Sequence, residues 1–378
     1  MQDPTNGIYV HVPFCRGKCH YCGFYSVASG AWRGLYLDAL ERETRERASR
    51  LPSRVAHTLY LGGGTPSALS AGELERVING LEREIRFLPA AERTIEVNPE
   101  DISRETLAAW RALGFNRLSV GVQSFSDERL RLVHRRHTAR QAIEAIDLAA
   151  AGFDNIGVDL ILGLPGQTAG EARRDVETLA RLPARHASIY LLSLDPGSIF
   201  AARARRGELL LPPGDEQAGW FADACDRLRA AGFDHYEISN FARDGRHSRH
   251  NSAYWHQGHY LGLGPAAHSH DGRSRRWNIA HVKRYAEGVL SGTPCFEEEV
   301  TSDADRYNEY VMTSLRTARG ASEQLLRDRH APFYLQARAA WDQLLAAGHL
   351  ARDGDRLRLT ETAWLISDTL LAGLFHAP

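Results

Sequence analysis

The 378-residue sequence lacks the features that place a protein in a membrane, on a nucleic acid or outside the cell. No run approaches the roughly 20 apolar residues that a membrane-spanning helix needs. The formal net charge is −1, so the chain has no excess of positive charge to attract nucleic acid or anionic lipid. The N-terminus has no positive patch followed by an apolar stretch, so we expect no signal peptide. These absences predict a cytoplasmic protein, not an integral membrane protein, with no nucleic-acid partner.

Cysteine is also scarce, with five residues in the chain, but three of them fall within eight positions. Cys15, Cys19 and Cys22 have the spacing C-x3-C-x2-C. In a chain without an export signal, such clustering favours metal or cluster ligation over disulfide bonds. Three thiolates can hold three irons of a [4Fe–4S] cluster and leave the fourth iron open to a small chelating molecule. Two alternatives stay open: a zinc site with His11 or His20 as fourth ligand, and three buried structural cysteines.

Strand-like and helix-like stretches alternate over the first half of the chain. Six apolar runs are predicted to be strands, and they begin at Ile8, His57, Arg93, Arg117, Asn155 and His186. This alternation predicts an α/β fold with a parallel sheet, and six such units predict a partial or closed barrel. The working residues of α/β barrels lie at the C-terminal ends of the strands. Polar and glycine residues do cluster at or near the ends of four of the predicted strands.

The pattern changes after about residue 200. We expect a barrel domain over residues 1–238, a connecting region rich in His, Gly, Tyr and Trp over 239–300, and a mostly helical domain over 301–378. Within the connecting region, residues 239–278 are predicted to be mainly loop. The last segment contains a predicted hairpin with its turn at Asp353–Asp355, followed by a helix, which is typical of a winged-helix tail. Because this tail has no evident basic face, we favour packing against the barrel over DNA binding.

Several motifs occur in the order found in the radical-SAM superfamily, and the chain from about Tyr9 to Leu194 resembles that family. The segment Gly62–Pro66, with the sequence GGGTP, follows a predicted strand, and in the superfamily it contacts the amino group of the methionine moiety. The full set of matches to S-adenosylmethionine (SAM) positions is Tyr9, Tyr21, Gly63, Gly64, Thr65, Glu96, Gln123, Arg135 and Asp159. The resemblance implies a partial (β/α)6 barrel with a [4Fe–4S] cluster on the three cysteines and SAM beside it.

The residue types at these positions suit SAM as a ligand. The carboxylates of Glu96 and Asp159 can accept hydrogen bonds from ribose hydroxyls or an ammonium group, and Gln123 can both donate and accept. Arg135 can pair with the methionine carboxylate. Taken singly, each residue is also explained as a strand-end cap or a solvated charge. Their occurrence together on successive strand ends favours one shared site.

The segment around the arginine departs from the family pattern. The family usually has Leu-Gly-Arg-x-His, whereas this chain has Val133-His134-Arg135-Arg136-His137. Because His134 replaces the glycine, we expect the local loop to differ. Arg136 is a rival to Arg135 for the role of pairing with the methionine carboxylate.

Three features separate two branches of this family. Oxygen-independent coproporphyrinogen III oxidase has a fourth cysteine two residues after the third, where this chain has Phe24. The oxidase also has a longer segment before its first cysteine, whereas 14 residues precede Cys15 here. The run from His250 to Trp255, HNSAYW, matches the H-N-x-x-Y-W motif of the sibling HemW-type heme chaperones. By this resemblance His250 is the heme ligand, and imidazole is a common axial ligand of heme iron. Among 17 histidines, a hydrogen-bonding loop role and a histidine-rich metal site stay open as alternatives.

The resemblance therefore implies a heme chaperone that binds a [4Fe–4S] cluster, SAM and heme and delivers heme to hemoproteins. Respiratory, membrane-associated hemoproteins are among the expected acceptors, and a reductant protein and a homodimer are further expectations. The alternative is a coproporphyrinogen III oxidase, which would be an enzyme of porphyrin synthesis. A radical-SAM enzyme with an unrelated substrate, which would bind no stoichiometric heme, is a third hypothesis. Enzymatic turnover stays open among these three.

Overall fold

The computed structural model describes residues 6–376, which form a 12-stranded and a 3-stranded sheet with helices around them. The strands are β1 (Asn6–Val12), β2 (Val55–Gly63), β3 (Arg86–Val97), β4 (Arg117–Gln123), β5 (Ile156–Leu162), β6 (His186–Leu191), β7 (Asp234–Glu237), β8 (Asn240–Ala242), β9 (His259–Leu263), β10 (His268–His270), β11 (Ser274–Asn278), β12 (Phe296–Val300), β13 (Ala321–Ser322), β14 (Leu350–Asp353) and β15 (Arg356–Leu359). The helices are α1 (Arg33–Arg47), α2 (Ala71–Glu84), α3 (Arg104–Ala112), α4 (Asp127–Leu132), α5 (Ala139–Ala150), α6 (Ala169–Arg181), α7 (Ile199–Arg205), α8 (Gly214–Ala230), α9 (Arg249–Trp255), α10 (Val282–Ser291), α11 (Asp303–Leu315), α12 (Glu323–Arg329), α13 (Ala331–Gln336), α14 (Arg338–Ala346), α15 (Glu361–Trp364) and α16 (Ser367–Ala372). Within these residues no helix is long and apolar enough to cross a membrane.

Six parallel strands form the centre of the large sheet, in the order β1-β2-β3-β4-β5-β6. Strand β5 is buried at every position except Asp159, as expected for a strand covered on both faces. A helix follows each of the first five strands before the next strand begins. This arrangement confirms the predicted α/β partial barrel of six units, and in the described residues the sheet stays open, with β12 and β7 at its edges.

Side-chain caps fix where the barrel helices begin. At the start of α2, the Ser70 hydroxyl accepts from the Glu73 backbone N–H, and the Glu73 carboxylate accepts from the Ser70 N–H. Thr168 and Glu171 form the same capping box at the start of α6. Each box satisfies N–H groups that the first helical turn leaves without partners. The caps therefore set the first residues of two helices that follow barrel strands.

The region expected to be loop instead contains helix α9 and strands β9, β10 and β11, and these strands together with β12 extend the large sheet beyond β1. Strand β9 pairs in parallel with β1, aligning Gly262 with Tyr9, and β10, β11 and β12 continue the sheet in antiparallel order. At Gly262 a Cβ would lie 1.9 Å from the carbonyl oxygen of His268, so this position requires glycine. The loop prediction is wrong because local composition carries no information about pairing with a distant strand. On the other side, β8 and β7 form a hairpin next to β6.

A buried ion pair fastens this extension to the barrel. Glu43 and Arg47 lie one turn apart on α1, with Arg47 Nη1 2.8 Å from Glu43 Oε1. Glu43 also accepts hydrogen bonds from Asn278 Nδ2 at 2.7 Å, the Gly264 N–H at 2.9 Å and the Tyr285 hydroxyl at 2.6 Å. Each carboxylate oxygen thus has two donors, which compensates the cost of burying the charge.

The C-terminal residues have an apolar core of their own, which includes Tyr307, Trp341 and Leu357. Strands β14 and β15 form the predicted hairpin, and β13 pairs with β15 to complete the small antiparallel sheet. Helices α11 to α14 precede this hairpin and α15 follows it. The arrangement is winged-helix-like, as expected from the sequence, while the domain boundaries at 238/239 and 300/301 stay predictions.

Candidate functional site

A cavity of about 750 Å³ opens at the C-terminal ends of the parallel strands. All twelve residues predicted to hold the cluster or SAM line it, and they are Tyr9, Cys15, Cys19, Tyr21, Cys22, Gly63, Gly64, Thr65, Glu96, Gln123, Arg135 and Asp159. His250, the predicted heme ligand, does not line it. The side chains come from β1 to β5 and the loops after them, the part of an α/β barrel where residues from several strands converge.

The cysteine loop lies between β1 and α1, and its backbone is tied to neighbouring chain. The Cys15 N–H donates to the Val27 carbonyl at 3.0 Å, and the Cys22 N–H donates to the Cys19 carbonyl at 3.2 Å. None of the three cysteines forms a disulfide, and the Thr65 hydroxyl donates to Cys15 Sγ at 3.4 Å. Burial raises the pKa of the Cys22 thiol to about 11, so a metal must displace the proton from this sulfur on binding.

The spread of the three sulfur atoms argues against a single zinc ion. Among the described residues, one group of three His, Cys, Asp or Glu side chains has ligand atoms that all lie within 4.8 Å of one another. That group lies elsewhere in the chain, so at least two of the three loop sulfurs are farther apart than 4.8 Å. The sulfurs are therefore too widely spaced for one tetrahedral ion with Zn–S bonds of about 2.3 Å. His11 Nε2 lies 2.9 Å from the Tyr25 carbonyl oxygen and His20 Nδ1 lies 3.1 Å from that of Leu132, so each histidine already contacts a backbone carbonyl. The loop fits a larger group held by three thiolates.

At the end of β2 the backbone passes so close to the chain after β1 that glycine is needed there. Gly63 has a φ of +106°, a conformation that side chains disfavour. At Gly64 a Cβ would lie 2.8 Å from the carbonyl oxygen of Val12 and 2.9 Å from that of Phe14. The Gly64 and Thr65 N–H groups donate to those same two carbonyls, each at 2.8 Å. The segment therefore forms a wall of the cavity directly against the chain that leads into the cysteine loop.

Glu96, at the end of β3, is a buried carboxylate with a donor on each oxygen. The Tyr60 hydroxyl donates to Oε1 at 2.8 Å, and the Gly63 N–H donates to Oε2 at 3.2 Å. Burial raises the pKa of Glu96 to about 7, against the lowering effect of the Tyr60 hydrogen bond. The carboxyl is thus about half ionised near neutral pH, and a cationic group in the cavity would favour its ionised form.

Gln123 and Asp159 lie on the neighbouring strands β4 and β5. A bulge interrupts the pairing of these strands between Gly121 and Gln123, and Gln123 has a left-handed φ of +73°. Bulges of this kind re-aim side chains near functional sites, and here the Gln123 side chain lines the cavity. The Asp159 carboxylate accepts from the Ser119 hydroxyl at 3.3 Å, and burial raises the pKa of Asp159.

Arg135 contacts the cysteine loop from the β4 side. Its Nη1 lies 3.6 Å from Cys19 Sγ, its Nη2 donates to Asn98 Oδ1 at 2.6 Å, and Nη2 also donates to the Gly121 carbonyl. The Nε atom is buried without a partner among the described residues. A buried guanidinium nitrogen without a partner is a hydrogen-bond donor that is available to a ligand. Arg136 also lines the cavity, but its side chain is exposed, whereas Arg135 has the buried nitrogen without a partner, which favours Arg135 over its rival.

His134, which stands where the family usually has glycine, adopts a left-handed backbone conformation that glycine takes easily. Its φ is +62°, a left-handed value that costs a non-glycine residue roughly 1–2 kcal/mol. The His134 ring stacks on His20 with centroids 4.9 Å apart, and its Nδ1 donates to the Lys18 carbonyl at 3.1 Å. These contacts with the cysteine loop offset the backbone cost. The expectation that the loop differs from that of the family stays a prediction.

Two tyrosines lie on the inner wall of the cavity. The Tyr9 hydroxyl lies 3.1 Å from His11 Nδ1, and Tyr21 lies in the cysteine loop between the second and third cysteines. Burial raises the pKa of both tyrosines, so both hydroxyls stay protonated at neutral pH. The two side chains therefore offer neutral aromatic surface beside the sulfur atoms.

His250 lies on α9, against the early residues of β1 and β2 rather than their C-terminal ends. It is 1% exposed, and both ring nitrogens are hydrogen-bonded: Nδ1 to the Thr58 hydroxyl and Nε2 to the Tyr254 hydroxyl, each at 2.8 Å. The ring stacks on Tyr60 with centroids 5.1 Å apart. Burial lowers the pKa of His250 to about 3, so the imidazole is neutral. In this conformation neither nitrogen is free for a metal, and the prediction that His250 ligates heme stays a prediction.

Sequence reasoning missed three residues that position these groups. Tyr60 holds Glu96, Asn98 holds Arg135, and Glu92 accepts hydrogen bonds from the first N–H groups of α9, including that of His250 at 3.0 Å. Asn98 could have been found, because it follows Glu96 at the end of a predicted strand. No local sequence pattern marks Glu92, because the residues whose N–H groups it accepts lie about 160 positions later in the chain.

Similarity to known proteins identifies the family of this chain. The model of the Radical SAM superfamily matches residues 9–179. The chain is 35% identical over 382 residues to the heme chaperone HemW of Mycobacterium tuberculosis H37Rv, covering 99% of this chain and 96% of that protein. The chain belongs to the HemW family. The heme chaperone HemW of Bacillus subtilis 168 is 34% identical, with 85% of this chain and 86% of that protein covered. Coproporphyrinogen III oxidase (HemN) from Escherichia coli, a solved structure, matches with a TM-score of 0.85 at 26% identity, covering 98% of this chain and 90% of that chain.

Membership of the HemW family confirms the branch expected from the sequence and the radical-SAM fold. The cavity of this HemW-family chain also fits the two cofactors of the superfamily. It offers three cysteine thiols around one wall, an unpartnered Arg135 nitrogen and a raised-pKa carboxylate at Glu96. The residue-by-residue assignments inside the cavity stay predictions.

Proposed function

We propose that this chain is a heme chaperone that carries a [4Fe–4S] cluster and SAM, binds heme and delivers it to hemoproteins. The observation that carries the proposal is the similarity to proteins named heme chaperone HemW along 99% of the chain. Phe24, which lines the cavity, supports it, because by resemblance the oxygen-independent coproporphyrinogen III oxidases have a fourth cysteine at this position. The cluster and SAM supply the family's redox and radical chemistry when bound.

The cavity residues bind and orient SAM. Glu96 and Asp159 accept hydrogen bonds from its cationic or hydroxyl groups, and Arg135 pairs with its carboxylate through the unpartnered Nε. Cys15, Cys19 and Cys22 hold the cluster beside it. The glycine wall at Gly63 and Gly64 allows close approach of the ligand to the backbone.

Heme binding through His250 requires the side chain to leave its pocket. Two hydrogen bonds, to Thr58 and Tyr254, hold the imidazole, and each contributes about 0.5–1.5 kcal/mol. The conformation that can bind heme forms only when these hydrogen bonds are broken, so only a small fraction of the molecules adopt it. The apparent heme affinity is lowered in proportion to that fraction. Thr58→Val removes one hydrogen bond and should therefore strengthen heme binding by roughly two- to tenfold.

The test is a heme titration of anaerobically assembled protein, followed by absorbance. Wild type should bind heme stoichiometrically, His250→Ala should lose most of the binding with the cluster absorbance intact, and Thr58→Val should bind more tightly. The matched control is His268→Ala, which removes an exposed histidine from the same region and should leave binding unchanged. Full binding by His250→Ala would overturn the ligand assignment. An affinity unchanged in Thr58→Val would overturn the requirement that the histidine leave its pocket.

The alternative function, coproporphyrinogen III oxidase, is supported by the TM-score of 0.85 to the Escherichia coli enzyme. The discriminating measurement is turnover of coproporphyrinogen III by the same assembled protein with SAM and a working reductant. We expect no decarboxylated product. Turnover without stoichiometric heme binding would replace the chaperone proposal with the enzyme.

The partners of the proposed function follow from its chemistry. A reductant protein must approach the cavity mouth, where Phe24 is 70% exposed, because the cysteine loop lies there. The acceptors are hemoproteins, with respiratory, membrane-associated ones among them, and we place the exchange in the cytoplasm. Sedimentation analysis of the assembled protein tests for the homodimer.

A further inference from the structure

Cys225, His235 and Glu361 converge at the junction between the barrel and the C-terminal residues, outside the cavity. They come from three elements: Cys225 from α8, His235 from β7 and Glu361 from the first turn of α15. Their ligand atoms all lie within 4.8 Å of one another. Cys225 Sγ is 3.8 Å from His235 Nδ1, and that nitrogen is 2.9 Å from Glu361 Oε1.

The ring of His235 is fixed with Nδ1 towards the other two groups. It stacks on Phe241 with centroids 4.0 Å apart and meets Trp364 edge-on at 4.5 Å. Nε2 lies 3.4 Å from the Ile238 carbonyl oxygen, and Nδ1 lies 2.9 Å from Glu361 Oε1. Without an ion, the Nδ1–H donates to the Glu361 carboxylate. With an ion bound, Nδ1 gives its lone pair to the metal and the hydrogen lies on Nε2, where the Ile238 carbonyl accepts it.

We propose that Cys225, His235 and Glu361 bind one divalent transition-metal ion, with zinc the ion that fits this ligand set. Thiolate, imidazole and carboxylate are the three protein ligand types of zinc, with bonds of about 2.0–2.3 Å. Such bonds place neighbouring ligand atoms of a tetrahedral shell about 3.3–3.8 Å apart. The separations of 3.8 Å and 2.9 Å need only a small adjustment to reach that range. The Glu361 side chain is 39% exposed, so water can reach the fourth position.

The surroundings of Glu361 are those of an oriented ligand. Arg229, one turn after Cys225 on α8, donates to the second carboxylate oxygen, Oε2, and leaves Oε1 for the ion. Arg229 is itself held by Asp226 at 2.9 Å. Outer partners of this kind fix ligand orientation, and their loss typically weakens metal binding about 10–100-fold. Because the ligands join α8 and β7 to α15, the ion fastens the C-terminal residues to the barrel.

The test uses the full chain with its cluster assembled anaerobically, titrated with zinc alone and, separately, with cobalt(II) alone. We expect one zinc per chain beyond the cluster, unchanged iron content, and a thiolate-to-cobalt charge-transfer band. Cys225→Ser and Glu361→Ala should each weaken zinc binding by roughly 100-fold or more, since each removes a ligand. The matched control is Cys295→Ser, which changes the other isolated buried cysteine and should bind zinc like wild type.

Two outcomes would overturn the site. One is wild-type protein that binds no zinc beyond the cluster, and the other is zinc binding unchanged in both Cys225→Ser and Glu361→Ala. Either result would leave His235 and Glu361 as a hydrogen-bonded pair between the two parts of the chain. Glu361 is partly exposed, so its alanine variant is expected to fold even if the buried Cys225→Ser variant does not. The result is independent of whether the chain binds heme.

Discussion

Proton uptake by Glu96 should make SAM binding depend on pH. Burial raises the pKa of Glu96 to about 7 in the free protein. SAM brings an ammonium and a sulfonium group, so it should bind the ionised carboxylate in preference to the neutral acid. Binding at a pH below 7 must then release a proton. The affinity should rise with pH across the pKa of Glu96 and level off above it.

The size of this effect follows from the pKa. A group with a pKa of about 7 is ionised to roughly one tenth at pH 6 and roughly nine tenths at pH 8. If only the ionised form binds, the affinity for SAM should rise about tenfold between these pH values. The number of protons released per SAM should fall from about one at pH 6 towards zero at pH 8.

Isothermal titration calorimetry on the cluster-loaded protein, in two buffers of different ionisation enthalpy, measures both quantities. Glu96→Gln keeps an acceptor for the Tyr60 hydroxyl but cannot titrate, so it gives the contribution of the ligand's own ionisation. The matched control is Glu237→Gln, because burial also raises the pKa of Glu237 to about 7 but this residue does not line the cavity. A flat affinity in wild type, or the same pH dependence in Glu96→Gln, would refute the assignment of Glu96 to SAM.

Two further predictions concern stability and the cluster. Glu43→Ala should lower the free energy of unfolding by about 3–5 kcal/mol in urea titrations, because it leaves Arg47 buried without its partner. The exposed pair of Glu46 on the same helix is the control, and Glu46→Ala should cost less than about 1 kcal/mol; similar losses in both variants would contradict the role of burial. Cys19→Ser should lose the cluster in iron and sulfide analysis while Cys295→Ser keeps it, and full iron content in Cys19→Ser would remove the cluster assignment.

The cavity could be predicted from the sequence because its residues follow the strand pattern. Once the βα alternation is recognised, barrel topology places residues such as Glu96 and Asp159 near one end of the sheet. The cysteine spacing and the glycine run resemble those of the radical-SAM superfamily, and this resemblance implies a [4Fe–4S] cluster and SAM as the ligands. The structure places all of these residues around one cavity.

What the sequence could not predict depends on contacts between distant segments. Glu43 and Arg47 have the spacing of an ordinary surface pair on a charged helix, and only packing against Tyr285 and Gly264 buries them. His250 looks like a loop residue in a segment rich in histidine and glycine. Its burial results from the pairing of β9 with β1 and from the Glu92 cap, neither of which leaves a local pattern.

Delivery of heme is the central claim, and heme transfer tests it most directly. Protein with its cluster assembled and one heme bound would be mixed with an apo-hemoprotein, and the acceptor would be separated and its spectrum recorded. The account predicts that heme moves to the acceptor and restores its holoprotein spectrum. Heme that never binds stoichiometrically, or that stays bound to this chain in the presence of a competent acceptor, would contradict the account.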